Sequence, residues 1–170
     1  AVDGEVDTTT LQFTNMDRLA LDGQRLILLG GVSYWAENSI YGTEVETFGR
    51  VQLKTCERTR LPYFVVKTRE GTTMEYGGTP DALVRNAAIE NDTRILSWKL
   101  NKITDVHGNS VKYTYSDDGQ YIQSITYSGG SLTFEYKANN AYPSKRYIRN
   151  FLIQRDKFLQ NIVVKSGNDT

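Results

Sequence analysis

The chain has 170 residues, close to the size of one ordinary domain. Its 20 Lys and Arg balance 20 Asp and Glu, which argues against a basic nucleic-acid binder and against a polybasic membrane-surface protein. One cysteine, Cys56, excludes an internal disulfide and a cysteine-based zinc cluster, and one histidine, His107, excludes every two-histidine metal site.

Eleven tyrosines, 14 glycines and only 3 prolines make the mixture that strands and tight turns favour. Residues 1–10 carry no initiating Met, no basic region and no apolar run, so no signal peptide is expected there. The missing Met is read as the mark of a processed or excised segment. No stretch approaches the roughly 18 apolar residues of a membrane helix.

In chain order, the first strand candidates are 11–13, 25–29 and 44–53. Segments 61–68 and 72–76 predict a hairpin around Arg69-Glu70-Gly71. Pro80 suits a first helical position, and Ala82, Leu83, Ala87 and Ala88 follow it, so 80–90 is either one short helix or a long loop with a helical turn. Segment 95–104 alternates Leu96, Trp98 and Leu100 against Ser97, Lys99 and Asn101. The turn at His107-Gly108-Asn109 pairs it with 111–115, where Val111, Tyr113 and Tyr115 share a side. Glycines at 119 and 129–130 bound two further alternating runs, 121–127 with Ile125 and Tyr127, and 131–137 with Leu132, Phe134 and Tyr136. Period-two alternation with one polar face predicts a continuous antiparallel meander over 95–137. Segment 138–146 reads as a surface loop. Segments 147–154 and 159–165 read as a closing hairpin through Arg155-Asp156-Lys157. The expected fold is mostly β, a meander of consecutive hairpins with at most one short helix near 80–90. Residues 1–170 form one β-rich unit, a fragment of a larger chain.

Few residues carry chemistry. His107 lies in a predicted turn, where Asp105 is better employed in stabilising that turn than in orienting a catalytic base. Asp117-Asp118-Gly119 begins like a calcium loop, but no acid follows at the required offsets. Cations flank Cys56 and would lower its pKa, yet His107 is its only conceivable partner, so a structural thiol is expected. No nucleophile elbow, phosphate loop or dinucleotide fingerprint occurs. No catalytic residue, cofactor or metal is expected. The tyrosines of 113–136 are either the buried face of a sheet or an exposed platform for sugar or peptide, with the buried face preferred.

The stretch from Trp98 through Asp105, Gly108, Asn109, Tyr113 and Tyr115, followed by Gly119, Ile125, Tyr127 and Tyr136, resembles the pattern of Rhs/YD-repeat proteins. In those proteins a strand ends in I-x-D-x-x-G-N, followed by x-Y-x-Y, a glycine turn and I-x-Y. More narrowly, the chain is similar to the amino-terminal region of virulence-plasmid B proteins and to the B component of insecticidal toxin complexes. That similarity also draws on Leu21-Asp22-Gly23, Tyr41-Gly42-Thr43-Glu44, Phe48-Gly49-Arg50 and Tyr76-Gly77. It implies a segment of a β shell that wraps a toxic cargo polypeptide, with enzymatic activity residing in other regions or partner subunits. The motif residues would then be structural: Asp105 and Asn109 bond turn amides, Gly108 takes a positive φ, and Tyr113 and Tyr115 pack toward Ile125 and Tyr127.

The expected function is therefore a non-catalytic structural segment of a secreted Rhs-like toxin carrier or of a cell-surface YD-repeat protein. Its partner would be the remainder of its own longer chain or a toxin subunit, with edge-strand self-association and neither nucleic-acid binding nor membrane insertion. The alternative is a free-standing β module that binds carbohydrate or protein in the manner of an adhesin. A small hydrolase using paired acids is a third, weaker reading.

Overall fold

The computed structural model describes residues 12–43, 45, 49–86, 88–89, 92–116, 119–148 and 150–167. Its strands are β1 Ala20–Leu21, β2 Gln24–Gly30, β3 Ile40–Thr43, β4 Arg50–Thr55, β5 Pro62–Lys67 and β6 Thr73–Tyr76. They continue with β7 Leu83–Val84, β8 Ser97–Trp98, β9 Leu100–Thr104, β10 Ser110–Ser116, β11 Tyr121–Tyr127 and β12 Gly130–Ala138. The last three are β13 Ser144–Ile148, β14 Phe151–Arg155 and β15 Lys157–Ser166. The described helical structure is one 3-10 turn, Pro80–Ala82.

Eleven strands form one antiparallel sheet in the order β1-β2-β3-β4-β5-β6-β9-β10-β11-β12-β15. Each strand pairs with the next in sequence except where the chain leaves the sheet. It does so twice, through β7–β8 and through the β13–β14 hairpin. The meander expected over 95–137 is present as β9 to β12. Tyr113 lies opposite Ile125, and Ile125 lies opposite Leu132. A bulge between Thr114 and Tyr115 then sets Tyr115 opposite Ile122 and re-aims the following side chains.

The main core lies under β1 to β6, where Leu19, Leu21, Leu26, Tyr41, Val51, Leu53, Phe64 and Val66 are buried in one cluster. The 31–39 loop closes over it. The Tyr41 hydroxyl donates to the Tyr34 carbonyl, while the Tyr34 hydroxyl donates to Leu26 O at 2.9 Å and accepts from Leu19 N at 3.0 Å. Burial pushes the Tyr41 hydroxyl up to about 12, consistent with a phenol that stays a donor. Trp98 seals one side: its ring meets Phe64 edge to face at 5.1 Å and its Nε1 donates to Pro62 O at 2.8 Å.

Several sequence expectations are corrected. Residues 12–13 are not strand, and Phe13 takes a φ of 56° to stack on Phe151 at 5.1 Å; Leu11 lies outside the described residues. The strand expected over 44–53 begins at Arg50, and the preceding strand is β3, which the sequence reading missed; residues 44 and 46–48 lie outside the described residues. The 80–90 segment is the turn-bearing alternative: helical structure stops at Ala82, where the chain turns extended to pair Leu83 with Trp98. Ala87 and Glu90 are outside the described residues. The run over 95–104 breaks at Lys99, whose N–H donates to Ala82 O at 2.7 Å and whose carbonyl accepts from Gly77 N at 2.8 Å. Trp98 therefore serves the β7–β8 pair and Leu100 the main sheet.

The largest correction concerns the C-terminal third. The closing hairpin over 147–165 does not form. Instead 144–148, which straddles the expected loop 138–146 and the start of the expected strand 147–154, pairs with Phe151–Arg155, while β15 returns to the sheet and pairs with β12 from Gly130↔Ser166 to Ala138↔Lys157. The reason is local closure at the base of the excursion. Asn139 N donates to Asp156 O at 2.6 Å, and the Tyr121 hydroxyl accepts from Asp156 N at 2.7 Å and Lys157 N at 2.9 Å. Residue 156 thus becomes a re-entry point rather than a hairpin tip.

Candidate functional site

The Asp105–Asn109 turn joins β9 to β10. The Asp105 carboxylate accepts from His107 N at 2.8 Å, Asn109 N at 2.9 Å and Asn109 Nδ2 at 2.9 Å. These bonds hold its pKa below the ordinary carboxylate value, with the Asn109 side chain the largest cause. Gly108 completes the turn at φ 86° with nothing near the place a Cβ would occupy. His107 is exposed and contributes its backbone N–H.

Beyond the turn, the motif side chains divide. The Tyr115 hydroxyl donates to Leu100 O at 2.6 Å, and Tyr115 N donates to Asp81 Oδ2 at 2.9 Å, tying β10 to β9 and to the 3-10 turn. Burial raises the Tyr115 hydroxyl to about 12. Tyr136 donates to Ile122 O at 2.8 Å and meets Tyr121 edge to face at 5.0 Å. Tyr113 and Ile125 are half-buried neighbours, whereas Tyr127 is 39 % exposed. Gly119 is buried against the backbone of Leu83; Asp117 and Asp118 lie outside the described residues. Trp98 belongs to the core described above. The ten motif residues therefore follow the meander and do not converge on one pocket.

Cys56 opens the β4–β5 turn. Hydrogen bonding from Thr59, with a smaller contribution from Arg58, lowers its thiol pKa. Among the described residues no group of three or more His, Cys, Asp or Glu is placed to hold a metal ion.

Two further features stand out. The first is the edge of the main sheet at β15. Among the described residues this strand has one sheet neighbour, β12, and Phe158, Leu159, Ile162 and Val164 are 46–65 % exposed along it. The strand-like sequence over 159–165 points to an edge there, though as one arm of a hairpin rather than as the partner of β12. The second is a cleft of about 1210 Å³ between residues 13–25, Val84 with 93–99, and the β13–β14 hairpin. Its walls come from segments distant in sequence, so no local pattern announces it.

The fold has counterparts among known proteins. Residues 39–162 match the family model of the Salmonella virulence plasmid 65kDa B protein, SpvB. A similar solved structure is the N-terminal domain of effector protein SpvB from Salmonella typhimurium strain LT2, with TM-score 0.71, 12 % identity, and coverage of 91 % of this chain and 71 % of that one. The TcdB2-TccC3-Cdc42 structure gives TM-score 0.75 at 12 % identity over 91 % of this chain, and TcdB2-TccC3 gives 0.73 at 14 % over 92 %. This chain spans about a tenth of the length of those two, 10 % and 11 % respectively. No curated protein matches it by sequence.

Proposed function

The chain belongs to the family of the Salmonella virulence plasmid 65kDa B protein, and from that membership we propose that it is a non-catalytic structural segment of a secreted toxin carrier, a piece of the β shell around a cargo polypeptide. Residues 1–170 then act as one β-rich segment within a larger Rhs-like or YD-repeat chain, delivered outside the bacterial cell or to its surface. Trp98, Asp105, Gly108, Asn109, Tyr113, Tyr115, Gly119, Ile125, Tyr127 and Tyr136 would be its turn-and-strand unit, and its partner the remainder of the chain or another toxin subunit.

The observation that carries this reading is the β15 edge. Along this ten-residue strand, alternate residues turn their backbone donors and acceptors away from β12, beside a row of exposed apolar side chains. Such an edge can pair with another strand. The spent hydroxyls of Tyr115 and Tyr136 favour a sheet-building use of the aromatics over a sugar-binding platform.

The test is sedimentation velocity on the purified chain and on a double variant, Ile162→Lys with Val164→Lys. The chain should self-associate with rising concentration, and the variant should remain monomeric with an unchanged circular dichroism spectrum. A wild-type chain that stays monomeric at every concentration, or turnover abolished by His107→Ala, would contradict the proposal.

A further inference from the structure

The cleft between residues 13–25, Val84 with 93–99, and β13–β14 carries an uneven share of charge. Six cations line it, Arg18, Arg25, Arg94, Lys99, Arg146 and Arg155, against one carboxylate, Asp17. The chain as a whole is neutral, with 20 of each sign, so this imbalance is local. Asp17 offers these cations little, since its carboxylate already accepts from Gln12 N at 3.0 Å and Thr14 N at 2.8 Å. Arg94 is satisfied by Asp92, with bonds of 2.5 to 3.0 Å. The side chain of Gln120 also lines the cleft, and its Nε2 has no acceptor among the described residues.

The β13–β14 hairpin gives this wall a pattern. Ser144, Arg146 and Ile148 alternate along β13 and line the cleft, as do Ile153 and Arg155 on β14. Arg146 lies opposite Ile153 and Ser144 opposite Arg155, so the two arginines occupy diagonal positions on the hairpin. Like charges at diagonal positions repel one another, and an anion between them relieves that repulsion. Phe13, Trp35, Ile95 and Trp98 add apolar surface from the facing segments, beside polar residues such as Asn15, Thr93 and Ser97. The volume exceeds that of ordinary small-molecule pockets, which suits a length of polymer.

We propose that this cleft binds an extended acidic polypeptide segment in which carboxylates alternate with apolar side chains. The carboxylates bridge Arg146 and Arg155 on one wall and reach Arg25 on the other, where Arg18 is already held by the Asn15 and Met16 carbonyls and the Tyr34 ring, while the alternate side chains cover the apolar residues. A strand-like ligand matches the period-two spacing of the hairpin wall. Nucleic acid is the poorer fit, because the chain as a whole has no net positive charge.

The experiment is fluorescence anisotropy with the full chain and a labelled peptide of alternating Glu and Val, alongside its Lys–Val counterpart. The Glu–Val peptide should bind, the Lys–Val peptide should not, and added salt should weaken binding. Arg146→Glu with Arg155→Glu should lower affinity by about tenfold or more, because repulsion replaces attraction at two points. Lys145→Glu, on an exposed neighbour that does not line the cleft, should leave it nearly unchanged. Equal losses in the two variants would overturn the proposal, since attraction would then be diffuse. So would absence of binding by the Glu–Val peptide, or tighter binding of a short duplex oligonucleotide. Binding seen only after removal of residues 1–11, which carry Asp3, Glu5 and Asp7 and no Lys or Arg, would overturn it in favour of that segment as occupant.

Discussion

The Asn86 side-chain oxygen accepts a hydrogen bond from Leu152 N at 2.9 Å, joining the two excursions of the chain across 66 residues. Its Nδ2 donates to Asn150 O at 2.9 Å, so one carboxamide satisfies both a donor and an acceptor of the β14 approach. Ala82, Leu83, Val84, Ile148, Phe151 and Leu152 are buried around this junction. The junction holds the walls of the cleft in place.

Asn86→Ala should therefore cost about 2–3 kcal/mol, because it leaves buried backbone groups without partners. Asn86 is 2 % exposed, so water cannot easily replace the lost bonds. Chemical denaturation followed by circular dichroism measures the cost. A change below about 0.5 kcal/mol, the range of an ordinary surface substitution, would show that the junction is dispensable.

Two turn glycines should respond differently to alanine. Gly108 has φ 86° with open space around it, so Gly108→Ala carries backbone strain alone, about 1 kcal/mol. Gly119 has φ 77°, and a Cβ there would meet Leu83 O at 2.8 Å and Val84 N at 3.1 Å. Gly119→Ala should be the more destabilising of the pair by melting temperature. The reverse order would contradict the packing of the β10–β11 turn against β7.

Acid should loosen the region around Asp92. The Arg94 side chain holds the Asp92 carboxyl down at about 2, from an ordinary value of 3.8. A depressed folded-state pKa stabilises the native state above the unfolded value and is lost as pH falls through the folded one. The contribution should be complete above pH ~5, as for a salt-bridged carboxylate, and fade as pH falls from 3.8 toward about 2. Asp92→Asn should flatten the acid limb of a stability–pH curve. An unchanged acid limb would count against the Asp92–Arg94 bond.

The meander was legible because its strands expose one face: the alternation in 111–137 and the glycines at 108, 119 and 129–130 fix each reversal without help from distant residues. Strand β3 escaped notice because Ile40-Tyr41-Gly42-Thr43 is short and contains a glycine that weakens its strand signal. The C-terminal pairing failed for a different reason. Adjacent strand-like segments usually pair, and nothing in 147–165 reveals that Tyr121 captures the backbone at Asp156 and Lys157. The motif residues lie in or beside neighbouring strands, so their spacing is local in the sequence. The cleft could not, because Arg25, Lys99, Arg146 and Arg155 meet only after both excursions have folded back.

Hydrogen–deuterium exchange over residues 157–166 tests most directly whether another strand completes the β15 edge. In dilute chain, the amides of β15 that face β12 should be protected and those on the outer side should exchange rapidly. At concentrations where the chain associates, the outer amides should become protected as well. Outer amides that are already protected in the dilute monomer, or that stay fast in the associated form, would contradict that pairing.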